Sequence, residues 1–344
     1  MTRFARKTLR AGSLALLMLP LLLAPFAASA QLRDPSPAEQ ALDVAAFRGM
    51  DAAMAEQFPD VKSVVAVLGG RRVYAFHRDG NPDTQHDVQS AAKSALSTLV
   101  GIALGQGRIA SLDQPVLALM PEWATLNPDP RAAAITLRHL LTMSAGFAID
   151  DAAGTAPAGR PQDAWARPLG NAPGQAFAYD NASVPMLAAV LEKATGMTLA
   201  DYARQALVTP LAMREPSYRR GVQMRTEDMA RLGQLFLQKG VWDGRQLVPE
   251  AFVVDATRPQ NAGGPPVSMP YGYMWWVLRT DAPRRAFMAS GYGGQLIWVY
   301  PPLDLVIAVS STVSAESQRR GQAVQLVRTR LFAAASKRAE AAGR

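Results

Sequence analysis

The sequence contains no cysteine and only three histidines among its 344 residues. The absence of cysteine excludes disulfide bonds, thiol nucleophiles and thiolate metal sites. The three histidines are scattered, and none falls in an H-E-x-x-H or other metal-binding spacing. We expect His139, which lies in the apolar stretch RHLLTM, to be structural. The sequence also lacks G-x-S-x-G, the nucleophile elbow of α/β-hydrolases. Neither a metal ion nor a nucleotide cofactor has support.

Lysine is also scarce, although the chain is basic. Lysine and arginine together number 36 against 28 acidic residues, a formal net charge of +8. The basic residues are spread along the chain without a run typical of nucleic-acid binding, so no nucleic-acid partner is expected. Only six of them are lysines, so most positions that need a positive charge use arginine. Because arginine cannot act as a base at ordinary pH, each lysine is worth inspecting.

Long hydrophobic runs are absent except near the N-terminus. There, Arg3, Arg6, Lys7 and Arg10 precede LALLMLPLLLAPFAA, which is followed by Ala28-Ser29-Ala30. A basic start, a short apolar segment and an A-x-A site predict a secretory signal peptide over residues 1–30, cut after Ala30. The alternative is a membrane anchor, although the run is short and interrupted by prolines. We therefore expect a periplasmic or secreted protein without a stable membrane span after cleavage.

The remaining chain has strand patterns at both ends and helix patterns in the middle. Gly69-Gly70 predicts the turn of a hairpin over 62–79, and residues 151–175 have the composition of a long loop. The predicted helices are 37–58, 90–106, 135–143, 183–195, 199–207, 226–239 and 316–334, and the later strands are 271–278, 287–290, 295–301 and 303–311. This order predicts an α+β fold, an antiparallel sheet flanked by helices and formed from both chain ends, with an inserted helical subdomain. The expected sheet lobe covers about 31–90 and 260–344, and the helical lobe about 90–260.

The first candidate site lies in DVQSAAKS, where Lys93 follows Ser90 by three residues. On a helix these positions share a face, with Cβ atoms roughly 5–6 Å apart. A neutral lysine amine can take the proton of a nearby serine and make it nucleophilic. The helix N-terminus also favours developing negative charge. Because a chance S-x-x-K is common, Lys93 could equally be an ordinary surface residue.

Two further segments carry polar groups suited to the same chemistry. Tyr179 and Asn181 flank Asp180 ahead of a predicted helix; a tyrosine can relay a proton and an asparagine amide can orient a substrate. A simple turn is the alternative. In FMASGYGGQLIWVYP, Ser290, Gly291 and Tyr292 end a strand where glycine lets the backbone approach a ligand. The alternative there is a glycine-rich bend.

Together, in this order, the three segments resemble the penicillin-recognising serine hydrolases, which include class C β-lactamases, D-alanyl-D-alanine peptidases and related esterases and amidases. The resemblance extends from about residue 60 to 330 and is strongest to the branch of 6-aminohexanoate-oligomer hydrolases and carboxylesterases. It implies that Ser90 is the nucleophile, Lys93 its base, Tyr179 a second acid/base and Asn181 a substrate-positioning amide. It also implies an oxyanion hole formed by the backbone N–H groups of Ser90 and Tyr292.

Two positions depart from the pattern of these hydrolases. Ala289 stands where many of them carry a lysine or histidine that pairs with the carboxylate of an antibiotic. Asp180 stands where serine or alanine is usual, and its carboxylate could disfavour anionic substrates. The sequence therefore favours a small-molecule ester or amide as the substrate and no cofactor. A β-lactamase, a D-alanyl-D-alanine carboxypeptidase and a non-catalytic periplasmic binding protein of the same fold are the alternatives.

Overall fold

A computed structural model describes residues 1, 32, 35–149, 159–278 and 285–343 of the chain. Twelve strands lie within these residues. They are β1 (Val61–Leu68), β2 (Arg71–His77), β3 (Gln85–Asp87), β4 (Gln223–Arg225), β5 (Val241–Trp242), β6 (Arg245–Gln246), β7 (Asn261–Gly264), β8 (Met269–Tyr271), β9 (Trp276–Val277), β10 (Phe287–Gly291), β11 (Gln295–Tyr300) and β12 (Leu305–Ser311).

The α-helices of the described residues lie at both ends of the chain and between β3 and β7. They are α1 (Pro37–Ala46), α2 (Met50–Gln57), α3 (Ala92–Gly105), α4 (Val116–Leu119), α5 (Leu137–Leu141), α6 (Pro161–Trp165), α7 (Ser183–Thr195), α8 (Leu199–Ala203), α9 (Thr226–Leu237), α10 (Glu250–Ala256), α11 (Ala315–Arg320), α12 (Gln322–Leu326) and α13 (Phe332–Ala341). Short π-helical turns follow α8 and α12, at Arg204–Val208 and Val327–Leu331.

The main sheet joins the two ends of the chain, as the sequence predicts. Its strand order is β2-β1-β12-β11-β10-β9-β8-β7, and neighbouring strands pair in antiparallel orientation. β1, from the N-terminal part, pairs along its length with β12, from the C-terminal part. Helices cover the sheet, so the α+β class with an antiparallel sheet flanked by helices is confirmed. The predicted hairpin at Gly69-Gly70 is also present, as β1 and β2.

Both faces of the sheet are buried, and successive side chains of one strand enter different cores. In β1, Val65 and Val67 join the larger apolar cluster, which includes α3, α7 and α9. Val64 and Ala66 join the second cluster, with α2 and the C-terminal helices. This alternation follows from the two-residue period of a strand. The sheet is thus held from both sides, and the helices between β3 and β7 are anchored on one face of it.

Two predicted long helices are interrupted. The pattern over 37–58 predicts one helix, but Gly49 adopts φ +77° between α1 and α2. The break lets the Phe47 ring stack on Tyr74 of β2, with centroids 4.9 Å apart. The predicted helix over 316–334 breaks at Gly321, φ +58°, and reaches further, to Ala341. Helical periodicity survives such breaks because each piece still packs against the sheet.

The prediction of one strand over 271–278 is wrong, because a turn separates β8 from β9. Gly272 N–H donates to the Trp275 carbonyl across this turn, and Met274 adopts φ +58°. Backbone bonds tie the turn to the helical part of the chain, from Tyr273 N–H to the Ala256 carbonyl and from Met274 N–H to the Leu141 carbonyl. These distant partners leave no pattern in the local sequence, which explains the error.

The predicted loop 151–175 contains the one-turn helix α6. Its residues 151–158 lie outside the described residues. Residues 2–30 of the predicted signal peptide also lie outside them. Among the helices that the structure describes, none combines the length and apolarity needed to cross a membrane.

Candidate active site

Ser90 lies in a 3₁₀ turn, Gln89–Ala91, directly before α3. The residue before it, Gln89, adopts φ +49°, a backbone conformation that is unfavourable for residues other than glycine. The Asp87 carboxylate stabilises this conformation, since it accepts hydrogen bonds from Gln89 N–H at 2.9 Å and Gln89 Nε2 at 2.6 Å. A strained backbone held by local bonds is a common feature of functional sites. Here it fixes the position of the Ser90 side chain.

Lys93 lies beside Ser90, as the three-residue spacing predicts. Its Nζ donates to Ser90 Oγ at 2.8 Å, and the residue is only 7% exposed. Burial lowers the pKa of Lys93 to about 8, although the charge of Asp180 opposes that change. The amine also lies 5.0 Å from the centroid of the Tyr179 ring, a contact that favours its charged form. Because burial has lowered its pKa, part of the Lys93 population has a neutral amine near neutral pH and is able to accept a proton.

Tyr179 completes a cluster with Ser90 and Lys93. Burial raises the pKa of Tyr179 to about 12, while a side-chain hydrogen bond with Ser90 lowers it. The phenol therefore carries its proton at neutral pH. Its ring stacks on Trp276, with centroids 5.9 Å apart and planes 16° apart, and meets the edge of Tyr271. These rings orient the tyrosine hydroxyl, because aromatic contacts fix the ring plane.

Asp180 does not extend into the site as a free carboxylate. It forms an ion pair with Arg167, in which Arg167 NH1 lies 3.3 Å from Asp180 Oδ1. The same oxygen accepts the Ala182 N–H at 2.9 Å, at the start of α7. The arginine in turn lies over the Phe147 ring, 4.9 Å from its centroid. Asp180 therefore anchors the segment that carries Tyr179 and Asn181.

The end of β10 approaches the backbone that precedes Ser90. A Cβ atom on Gly291 would lie 2.4 Å from the Val88 carbonyl oxygen and 3.1 Å from Gln89 Cβ, so only glycine allows this approach. Ser290 is half-buried, and Tyr292, two residues further along the chain, is 43% exposed. β10 therefore brings its last residues next to the Ser90 turn. Ala289, where a cation is common in the similar hydrolases, is buried.

Ser90 and Lys93 open onto a cavity of about 760 Å³, and Asn181 lines the same cavity. The three segments singled out in the sequence thus converge on one region of the molecule. Three supporting residues were not predicted from the sequence: Asp87 supports Ser90, Arg167 supports Asp180 and Tyr271 supports Tyr179. Asp87 leaves a weak signal, an acidic residue three positions before a candidate nucleophile. Arg167 and Tyr271 leave none, because their contacts arise only from the fold.

No group of three or more His, Asp or Glu side chains that could hold a metal ion occurs in the part of the chain that the structure describes. His139 caps its own helix, since its Nδ1 accepts the Thr136 N–H at 3.2 Å. This is the structural role expected from the sequence. The groups in contact around Ser90 are a hydroxyl, a partly neutral amine and a phenol.

Comparison with known proteins assigns the chain to a family. Residues 51–330 match the family described as Beta-lactamase. A 6-aminohexanoate-dimer hydrolase of Paenarthrobacter ureafaciens is 26% identical, covering 76% of this chain and 77% of that protein. Two solved structures of low sequence identity share the fold. EstCE1, described as a hydrolase with promiscuous acyltransferase activity, has a TM-score of 0.67 at 16% identity, covering 86% of this chain and 100% of that one. An octameric penicillin-binding protein homologue from Pyrococcus abyssi has a TM-score of 0.63 at 18% identity, covering 82% of this chain and 76% of that one.

Proposed function

The chain belongs to the beta-lactamase family of serine hydrolases, and from the contacts around Ser90 we propose that it cleaves an ester or small amide through an acyl-enzyme. The observation that carries the proposal is the 2.8 Å hydrogen bond between Lys93 Nζ and Ser90 Oγ. The low exposure of Lys93, 7%, makes this bond chemically useful, because burial favours the neutral amine. In water the same lysine would be protonated and could not act as a base.

Acylation begins when neutral Lys93 takes the proton of Ser90 Oγ. The oxygen attacks the carbonyl carbon of the substrate, and the carbonyl oxygen becomes an oxyanion. The backbone N–H groups of Ser90 and Tyr292 stabilise that charge; such donors typically contribute about 10²–10³ in rate. When the tetrahedral intermediate collapses, the bond to the alcohol or amine breaks. The Tyr179 hydroxyl donates a proton to this leaving group and recovers one from Lys93.

Deacylation repeats these steps with water as the nucleophile. Neutral Lys93 takes one proton from the water, with the Tyr179 hydroxyl relaying it, and the water oxygen attacks the ester carbonyl on Ser90. The acid is released, and the proton returns to Ser90 Oγ. Every proton taken up is given back within the cycle, so no cofactor is needed. Asn181, on the cavity wall beside Ser90 and Lys93, orients the substrate amide or ester.

The substrate is an ester or small amide rather than a penicillin. The side chain of Ala289 supplies no cation for the carboxylate of a β-lactam, and the residue is buried. The amide-cleaving relative from Paenarthrobacter ureafaciens makes a linear amide the second candidate substrate class. A D-alanyl-D-alanine peptide and a non-catalytic binding role remain the alternatives that the assay below separates.

The N-terminal segment supports export. Its basic start, apolar run and Ala28-Ser29-Ala30 site predict cleavage after Ala30. We expect the mature protein in the periplasm or medium, beginning at Gln31. N-terminal sequencing of protein recovered from the periplasmic fraction checks this cleavage site; a protein retained with residues 1–30 in the membrane fraction would contradict it.

Hydrolysis by purified residues 31–344 tests the proposed activity. The panel is 4-nitrophenyl butanoate, the linear dimer of 6-aminohexanoate, a chromogenic cephalosporin and a D-alanyl-D-alanine peptide. We expect turnover of the butanoate ester by the wild type and by Ser336→Ala, a matched serine substitution on α13, but not by Ser90→Ala. Faster turnover of the cephalosporin or the peptide would reverse the substrate assignment. No turnover of any of them by folded protein would favour the binding role.

A further inference from the structure

We propose that the cavity beside Ser90 is an acyl-chain pocket and that the substrate is an ester or amide of an unbranched aliphatic acid of about eight to ten carbons. This inference rests on the proposed function, because the chain is bound while its carbonyl is attached to Ser90. It goes further by naming the part of the substrate that the enzyme selects.

The walls of the cavity are aliphatic. Side chains from α3, from the π-turn after α8 and from the segment leading to β4 line it; examples are Leu96, Leu99, Leu207, Val208, Met213 and Met224. These six residues are largely buried, between 3% and 8% exposed. Binding of an apolar ligand against such side chains is favourable, because it removes apolar surface from water. The volume, about 760 Å³, lies within the range typical of small-molecule sites.

Charge on the wall disfavours an anionic occupant. Among the described residues that line the cavity, the charged side chains are Asp87 and Lys93. Lys93 is engaged with Ser90, and the Asp87 carboxylate would repel an acidic group. Both Asp87 oxygens already accept hydrogen bonds from Gln89. The apolar wall therefore suits a neutral hydrocarbon chain.

The pocket follows α3, which sets the length of the chain. Its lining runs from Ser90, in the turn directly before this helix, to Leu99 within it. Nine residues of helix advance about 13 Å. Because carbon–carbon bonds are about 1.5 Å long, an extended chain of roughly ten carbons has a similar length. Tyr218, which also lines the cavity, is 46% exposed and places part of the wall at the surface.

The lining also indicates which side of the scissile bond the pocket serves. It includes Ser90, to which the acyl group becomes attached, but neither Tyr179 nor Tyr292. A leaving group has to pass close to the acid that protonates it, and that acid is Tyr179 in the proposed mechanism. The acyl chain, which stays on Ser90 until deacylation, is therefore the part that lies along α3.

A chain-length series tests this assignment on the wild-type protein. Burial of one methylene group should raise kcat/KM by a factor of about 4. Full burial of four more methylene groups should therefore raise kcat/KM roughly 250-fold. We expect kcat/KM for 4-nitrophenyl octanoate to exceed that for the butanoate at least about 30-fold. In parallel, lengthening the alcohol of alkyl acetates should leave kcat/KM nearly constant.

Two variants test the location of the pocket. Ala95→Phe places a ring on the part of α3 that lines the cavity, and Ala55→Phe makes the same change on the exposed side of α2. We expect the ratio of kcat/KM for the octanoate to kcat/KM for the butanoate to fall about tenfold or more in Ala95→Phe. In Ala55→Phe the same ratio should match that of the wild type.

Labelling of Ser90 by a small fluorophosphonate separates the possible failures. A labelled enzyme with a flat acyl series, or one that selects on the alcohol side, overturns the acyl-chain pocket but leaves the hydrolase intact. A ratio that falls equally in both variants places the selectivity elsewhere and also overturns it. Absence of both labelling and hydrolysis in folded protein overturns the proposed function itself.

Discussion

At the scale of single residues, the account depends on a lysine that loses its proton near neutral pH. Burial lowers the pKa of Lys93 to about 8, and the neutral form is the base. The rate of Ser90 acylation should therefore rise about tenfold per pH unit below pH 7 and level off above pH 9. Labelling by a fluorophosphonate between pH 6 and 10 measures this profile. A midpoint near the ordinary lysine value, or a rate independent of pH, would contradict the role of Lys93.

Asp180 should influence the pH midpoint of Ser90 acylation. Its negative charge raises the pKa of Lys93, and its pairing with Arg167 keeps this charge in place. Asp180→Asn removes the negative charge and leaves Arg167 positive, so the midpoint should move to lower pH. Asp163→Asn, which breaks an exposed pair with Arg160, is the matched control and should not move it. A midpoint that stays in place in Asp180→Asn, or moves to higher pH, would show that Asp180 does not act on Lys93.

The sequence could predict the Ser90 and Lys93 pair because both residues lie on one turn of chain. The sequence indicated that the Asp180 carboxylate could disfavour anionic substrates, but it did not indicate that this carboxylate pairs with Arg167. Arg167 lies 13 residues away. Nothing in a single sequence indicates which arginine a carboxylate will meet across a fold. Pair contacts at helical spacing are therefore predictable, and contacts between loops are not.

At the scale of elements, the close approach of β10 to the Ser90 turn is essential. A Cβ on Gly291 would lie 2.4 Å from the Val88 carbonyl oxygen. Gly291→Ala should displace β10 and lower kcat/KM about 10²-fold, the effect expected of a displacement near 1 Å. Gly170→Ala is the control, because its nearest contact for a new Cβ is 3.6 Å. Steady-state kinetics on an ester measures both; equal activity of the two variants would contradict the role of this approach.

The elements themselves were largely predictable where one face is apolar along the whole length. The helix 183–195 coincides with α7 because its buried residues recur at helical spacing. The prediction of one strand over 271–278 was wrong, because the turn between β8 and β9 depends on hydrogen bonds to the Leu141 and Ala256 carbonyls. Breaks at Gly49 and Gly321 were also missed. A glycine indicates that a bend is possible, and only packing decides whether it occurs.

At the scale of the whole molecule, the two ends of the chain are joined by buried charges as well as by the sheet. Asp43 of α1 binds Arg71 of β2 at 2.8 Å and also Arg338 of α13. Arg338 is 2% exposed. Since each of the three lies on a different element, this cluster connects the N-terminal helix, the sheet and the C-terminal helix. The main sheet and this cluster are therefore complete only when both ends of the chain are in place.

Removal of one member of this cluster should destabilise the entire protein. Arg338→Ala leaves Asp43 with Arg71 alone and should lower the free energy of unfolding by about 3 kcal/mol. Lys337→Ala, the exposed neighbouring cation, should change it by less than about 0.5 kcal/mol. Urea unfolding followed by tryptophan fluorescence measures both. A loss below about 1 kcal/mol in Arg338→Ala would show that the ends are held by the apolar core and sheet alone.

The most direct test of the central claim is the intact mass of residues 31–344 after incubation with a fluorophosphonate. We expect one adduct on the wild type and on Ser336→Ala, none on Ser90→Ala, and much slower labelling of Lys93→Ala. A peptide digest should place the adduct on Ser90. An unlabelled wild type that is folded, or an adduct that persists in Ser90→Ala, would contradict the claim that Lys93 activates Ser90 for acyl transfer.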